Sequence, residues 1–181
     1  NGVSTGNVVI LSAPQSLAFI VGYFATHLLG AIAVPVDPQL TSSQIQYISD
    51  KCKAKIAFLD KQISIKNIPK ILSINSLLNT GCNELVQKLS PKLDYCADIL
   101  FTSGTTGKPK GVILTHENIF ESANNINAFI KNTSNDLEVI PSPLSHSFGL
   151  ARLRCNFLVG ATIALANGFL LPGKIYKQLK E

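Results

Sequence analysis

Ten consecutive residues, Thr102-Ser103-Gly104-Thr105-Thr106-Gly107-Lys108-Pro109-Lys110-Gly111, gather four hydroxyls, three glycines and two lysines. They follow directly on the apolar run Ala97-Asp98-Ile99-Leu100-Phe101. Glycine lets a backbone bend where a side chain would clash, so main-chain N–H groups can turn toward an anion. Hydroxyls add donors, and a lysine brings the positive charge that a polyphosphate such as that of ATP requires. A second group, Pro141-Ser142-Pro143-Leu144-Ser145-His146-Ser147-Phe148-Gly149-Leu150, places one histidine among serines in a turn-rich stretch. Alone, such a histidine reads as a surface or capping residue.

The phosphate-loop spacing is not Gly-x4-Gly-Lys-Ser/Thr, because Pro109 stands where the second glycine belongs. Val112-Ile113-Leu114 then reads as a strand, whereas a P-loop feeds a helix. At every position the run instead resembles the phosphate-binding signature of the adenylate-forming superfamily, the acyl-AMP and acyl-CoA synthetases and ligases. The segment around His146 resembles that family's Pro-Leu-aromatic-His stretch, with Ser145 in place of the usual aromatic. Ala31-Ile32-Ala33-Val34-Pro35-Val36-Asp37-Pro38 is similar to its Gly-Ala-Val-Pro-Val-Asp/Asn-Pro strand.

The resemblance implies roles residue by residue. Thr102, Ser103, Thr105 and Thr106 would offer donors to the β and γ phosphates of ATP, while Gly104 and Gly107 would permit close approach. Lys110 would neutralise phosphate charge and serve as the catalytic lysine of this segment. Thr106 is the candidate to touch Mg²⁺, a hard cation that prefers oxygen. His146 would line the acyl-substrate pocket. Amino-acid-activating members carry an aspartate there, and no aspartate follows Asp136, so the implied substrate is an uncharged fatty or aryl acid. Coenzyme A is the implied co-substrate. An acyl carrier protein as acceptor, and a catalytically dead homologue that only binds nucleotide or a partner, are the alternatives. His27 and His116 read as structural, and Arg152 and Arg154 are expected to face solvent or a part of the protein not present here.

These residues need a scaffold to place them. Strands are predicted at Asn7–Leu11, Ile32–Val36, Lys55–Leu59, Ile71–Ile74, Ile99–Thr102, Val112–Leu114, Glu138–Ile140 and Ala161–Leu165. Helices are predicted over Gln15–Gly30 with Pro14 in the first turn, Ser42–Lys51 behind a Thr41/Gln44 capping box, His116 to about Lys131 behind Thr115, and Phe148–Val159. This alternation predicts an α/β fold, a mostly parallel sheet with helices on both faces. Residues 62–94 carry the weakest pattern and could hold a peripheral loop.

Composition bounds the rest. The 181 residues are 46% hydrophobic and 15% charged, which points to a buried, globular core. The net charge of +5 comes with lysines bunched between Lys51 and Lys70 with only Phe58 as an aromatic and no arginine among them, so no nucleic-acid partner is expected. The apolar stretch from Leu17 to Val36 is broken by His27, two glycines and Pro35, so a buried helix running into a strand is favoured over a membrane span. Four cysteines without metal or Cys-x-x-Cys spacing read as free thiols, and the localisation expected is cytoplasmic. The chain holds no methionine and lacks the family's later Tyr-Gly-x-Thr-Glu and Thr-Gly-Asp motifs and its C-terminal lysine. The expectation is therefore that 1–181 is a partial N-terminal AMP-binding domain, inactive alone and prone to self-association through surface its missing parts would cover.

Overall fold

The computed structural model describes residues 2–61, 63–79, 91–102, 108–166, 173 and 176. The chain forms two compact units, Asn1–His116 and Glu117–Glu181.

The first unit holds β1 (Val8–Ser12), α1 (Leu17–Leu28), β2 (Ile32–Pro35), α2 (Ser42–Cys52), β3 (Ile56–Leu59), β4 (Lys70–Ser73), the short α3 (Ser76–Asn79), β5 (Cys96–Thr102) and β6 (Lys110–Thr115). They build a six-stranded sheet in the order β4-β3-β1-β2-β5-β6. Every pairing is parallel except the last, where β6 returns antiparallel along β5. Adjacent residues of a strand point to opposite faces, and β1 is apolar on both. Ile10 packs with Ile45 and Ile48 of α2, while Leu11 meets Gly22 of α1, which also abuts Leu77 of α3. Helices thus cover both faces of a mostly parallel sheet, as the alternation predicts.

Local chemistry sets the helix ends. The capping box at α2 forms: Gln44 N–H donates to the Thr41 hydroxyl at 3.3 Å, and Thr41 N–H donates to Gln44 Oε1 at 2.9 Å. At α1 the cap is Ser16, whose hydroxyl accepts from Phe19 N–H at 3.3 Å. Pro14 therefore stands outside the helix, and the predicted first turn moves to Leu17. The apolar stretch from Leu17 to Val36 divides into α1 and β2 around Gly30, whose φ of +66° suits glycine. Among the described residues no helix is long and apolar enough to cross a membrane. Cys52, Cys96 and Cys155 are free thiols, and burial pushes Cys52 up to about 11; Cys82 lies outside the described residues.

One carboxyl is completely buried in this sheet. Asp98 of β5 is 0% exposed. The Tyr23 hydroxyl donates to its Oδ2 at 3.0 Å, and His27 Nε2 lies 2.9 Å from its Oδ1. The His27 ring also packs edge-on against His116, centroid to centroid 5.3 Å. Two side chains of α1 thus clasp the strand that leads into the phosphate-loop sequence. His27 is structural, as the sequence suggests, and its partner is a residue to which the sequence reading gave no role.

In the second unit α4 (His116–Ile130) precedes β7 (Leu137–Ile140), α5 (Ser147–Val159) and β8 (Thr162–Leu165). β7 and β8 pair in parallel with α5 as the crossover. Ile140, Leu144, Leu150, Leu153 and Cys155 are buried here together with Ala123. Asn127 of α4 donates from Nδ2 to the Cys155 carbonyl at 2.9 Å, joining the two helices. Gly160, with φ of 75°, ends α5.

Replacing Asp98 by Ala takes the shared partner from the buried Tyr23 hydroxyl and the part-buried His27 ring, and a buried polar group left unpaired costs about 1–3 kcal/mol. The expected loss is at least about 2 kcal/mol of stability, read as a lowered denaturation midpoint. An unchanged midpoint contradicts this account of the clasp.

Candidate active site

β5 and β6 run antiparallel from Cys96↔Thr115 to Thr102↔Lys110. The strand after the phosphate-loop sequence is therefore an antiparallel strand at the sheet edge, where a P-loop would lead into a helix. Ser103, Gly104, Thr105, Thr106 and Gly107, and with Thr106 the magnesium candidate, lie outside the described residues. Thr102 and Lys110 are described: both are exposed and directly paired across the hairpin stem. Side chains of such a pair share one face, so a hydroxyl and an ammonium stand together at the mouth of the loop. That donor set suits phosphate oxygens.

Gly111 has a different explanation from the phosphate one. It pairs with Phe101, and a Cβ there would lie 3.0 Å from Ile99 Cγ2 and 3.3 Å from Phe101 Cζ. The glycine lets these neighbouring side chains lie against the edge strand. The Tyr47 hydroxyl of α2 reaches the Pro109 carbonyl at 3.5 Å. A cleft of about 350 Å³ opens here, with Tyr47, Lys51, Phe101, Pro109, Lys110 and Ile113 in its walls.

His146 belongs to the second unit, where it is the N-cap residue of α5 with φ −110° and ψ 152°. Its amide donates to the Pro143 carbonyl at 3.1 Å, and its carbonyl accepts from Leu150 N–H at 3.1 Å. The backbone is thus held from both sides, and the residue is exposed. Gly149 makes this turn possible. A Cβ at that position would sit 2.3 Å from the Pro143 carbonyl oxygen and 2.7 Å from that of Ser142. The first turn of α5 therefore lies directly on the backbone of the preceding loop.

Beneath the turn, Arg152 of α5 donates to Glu138 of β7 from Nε at 2.6 Å and from a terminal nitrogen at 2.5 Å. Asn156 Nδ2 donates to Glu138 Oε2 at 2.6 Å and to the Arg152 carbonyl at 2.8 Å. Burial works to raise the Glu138 carboxyl, but the hydrogen bonds from Arg152 and Asn156 prevail and hold it below its ordinary 4.5. The hydrogen bond to Glu138 raises Arg152. The expectation that Arg152 faces solvent or a part of the protein not present here is thus corrected: its guanidinium pairs with Glu138. The available signal was an acid inside the apolar run Leu137-Glu138-Val139-Ile140, since a charge drawn toward a core needs a partner. Among the described residues no three His, Cys, Asp or Glu gather in a way that could hold a metal ion.

The architecture defines an α/β protein with a mostly parallel sheet closed at one edge by an antiparallel hairpin. The family model of the AMP-binding enzymes matches residues 1–181, and the chain belongs to that family. It is 29% identical over 194 residues to the medium-chain fatty-acid–CoA ligase of Escherichia coli, covering 93% of this chain and 34% of that one. To the 2-succinylbenzoate–CoA ligase of Bacillus cereus it is 29% identical over 164 residues, covering 91% and 34%. The chain thus spans about a third of the length of the curated relatives it matches. Its fold is that of o-succinylbenzoate CoA synthetase from Bacillus subtilis, solved with an acyl-adenylate intermediate. The TM-score is 0.86 at 24% identity, over 98% of this chain and 48% of that one.

Because Glu138 is held below 4.5, its pairing stabilises the fold in full above that pH, and the contribution is lost as pH falls through the lowered value. The Glu138→Gln variant should therefore melt below the wild type at pH 6, and the gap should close toward pH 3. Melting curves at both pH values check this; a gap that widens on acidification contradicts it.

Proposed function

We propose that the protein to which this chain belongs is an ATP-dependent, AMP-forming ligase that activates an uncharged carboxylic acid and passes it to a thiol, most simply that of coenzyme A. The chain itself would be part of the N-terminal AMP-binding domain. The observation that carries the reading is the Thr102–Lys110 pair at the mouth of the hairpin, in a chain that matches the AMP-binding family along its whole length. The fatty-acid and succinylbenzoate ligases it is similar to support an acid without an ammonium group.

In this reading a carboxylate oxygen of the acid attacks the α-phosphorus of ATP. The bond from that phosphorus to the bridging oxygen of the β-phosphate breaks, and pyrophosphate leaves. A thiolate then attacks the acyl carbon and AMP departs. Little covalent chemistry falls to the protein, so positioning and charge carry the catalysis. Lys110 would hold the negative charge of the phosphates, and Thr102, Ser103, Thr105 and Thr106 would donate hydrogen bonds. Gly104 and Gly107 would let the backbone close on the anion. Mg²⁺, with Thr106 as the candidate hydroxyl, would supply further charge neutralisation. His146, held by its backbone at the start of α5, would face the acid near its carboxylate. The 181-residue chain alone would lack the contacts to stabilise the transition state.

Isotope exchange between ATP and pyrophosphate tests this in the full-length protein, across a panel of fatty, aryl and amino acids. Exchange should depend on an uncharged acid and fall by about 10²-fold or more with Lys110→Ala, the scale of a lost electrostatic contact in a transition state. A folded protein that exchanges with no acid, or a Lys110→Ala variant as active as the wild type, refutes the reading.

A further inference from the structure

The segment that carries His146 is an arch. The chain leaves β7 at Ile140, passes through Pro141–His146 and returns along β7 as α5. Its crown is placed only as well as its two legs are placed against each other. Backbone contacts at the crown fix the local turn: the His146 amide on Pro143, and Gly149 seated on Ser142 and Pro143. They do not fix the second turn of α5 on the strand. Beside the buried Leu150 and Leu153, strand and helix are joined below the crown by directional contacts: Glu138 receives Arg152 Nε and Nη2 and Asn156 Nδ2.

This arrangement is poorly explained by stability alone. A buried or half-buried ion pair is often no better for stability than apolar side chains of the same volume. A bidentate guanidinium–carboxylate contact is, however, directional: two parallel N–H···O bonds fix angle as well as distance. Arg152 and Glu138 are 15% and 24% exposed in their side chains, sheltered enough for the geometry to persist. Asn156, 0% exposed, ties the same carboxylate to the Arg152 carbonyl and so to the helix backbone. Both partners are consumed internally, so neither is available to bind the acid.

We propose that Glu138, Arg152 and Asn156 form a positioning bracket: by fixing α5 along β7 they set where His146 stands, and through it the affinity for the acid. The inference rests on the reading of His146 as part of the acid pocket. Thr102 and Lys110 lie in the first unit and the bracket residues in the second; the bracket is proposed to act on the acid.

The test is a steady-state analysis of the full-length protein by exchange, with KM measured separately for acid and ATP. Arg152→Gln should raise KM for the acid about tenfold, within the range of coupling energies between contacting residues. KM for ATP should stay within about twofold, since additivity holds to a few tenths of a kcal/mol for sites without shared partners. Arg152→Lys should recover part of the loss, because a lysine keeps the charge but not the fork. On a His146→Ala background Arg152→Gln should add little further. If Arg152→Gln does not fold, Glu138→Gln with Arg152→Met removes both charges and carries the same expectation. A wild type that exchanges normally while the bracket variants leave acid KM unchanged, losing activity only in proportion to folded protein, overturns the bracket alone. Full additivity with His146→Ala overturns it too. A wild type without acid-dependent exchange overturns the ligase reading, and the bracket's role with it.

Discussion

The antiparallel pairing of β6 with β5 is the constraint on which the rest depends. Parallel neighbours cannot be joined by a short loop; an antiparallel pair can. By reversing at the edge of an otherwise parallel sheet, the chain sets Thr102 opposite Lys110. The local sequence follows from that geometry. Gly111 pairs with Phe101, and a Cβ there would crowd the side chains of Phe101 and Ile99. An edge strand is a liability unless it is short, charged or covered; β6 is six residues long and opens with Lys110.

Each unit solves the same problem with one sheltered carboxyl. In the first, Asp98 on β5 is grasped by Tyr23 and His27 of α1. In the second, Glu138 on β7 is grasped by Arg152 and Asn156 of α5. Apolar packing is non-directional, so it holds a helix on a sheet without fixing its slide or rotation as tightly as paired hydrogen bonds do. Both clasps act on the strand that leads directly into a candidate site segment: β5 into the phosphate hairpin, β7 into the turn with His146. Order is thus concentrated where a small displacement would cost most.

Much of this was legible because it is local. The capping box at Thr41 and Gln44 involves residues three apart, and the alternation of apolar runs with helical patterns gives the α/β class and most element positions within a residue or two. Two kinds of feature resisted. Pro14 looks like a helix start, but Ser16 offers the cap hydroxyl, and the competition between two valid start signals is settled only by packing. α3 lies in the stretch with the weakest pattern; four residues are too few to show a period. The clasps were illegible for another reason. Their partners are separated by 71 or 75 residues in one case and 14 or 18 in the other, and the sequence shows only a charge out of place in an apolar run. His146 and Gly149 stand out together in the sequence, yet the reason for the glycine, backbone lying on backbone, emerges only in three dimensions.

The proposed reaction bonds a carboxylate oxygen of the acid to the α-phosphorus of ATP. It is tested most directly by giving the full-length protein an acid labelled with ¹⁸O in its carboxylate, with ATP and coenzyme A, and weighing the products. AMP should carry one labelled oxygen and pyrophosphate none, because the acyl carbon–oxygen bond breaks when the thiol attacks. Label in inorganic phosphate alongside ADP would mean attack at the γ-phosphorus and would contradict the account.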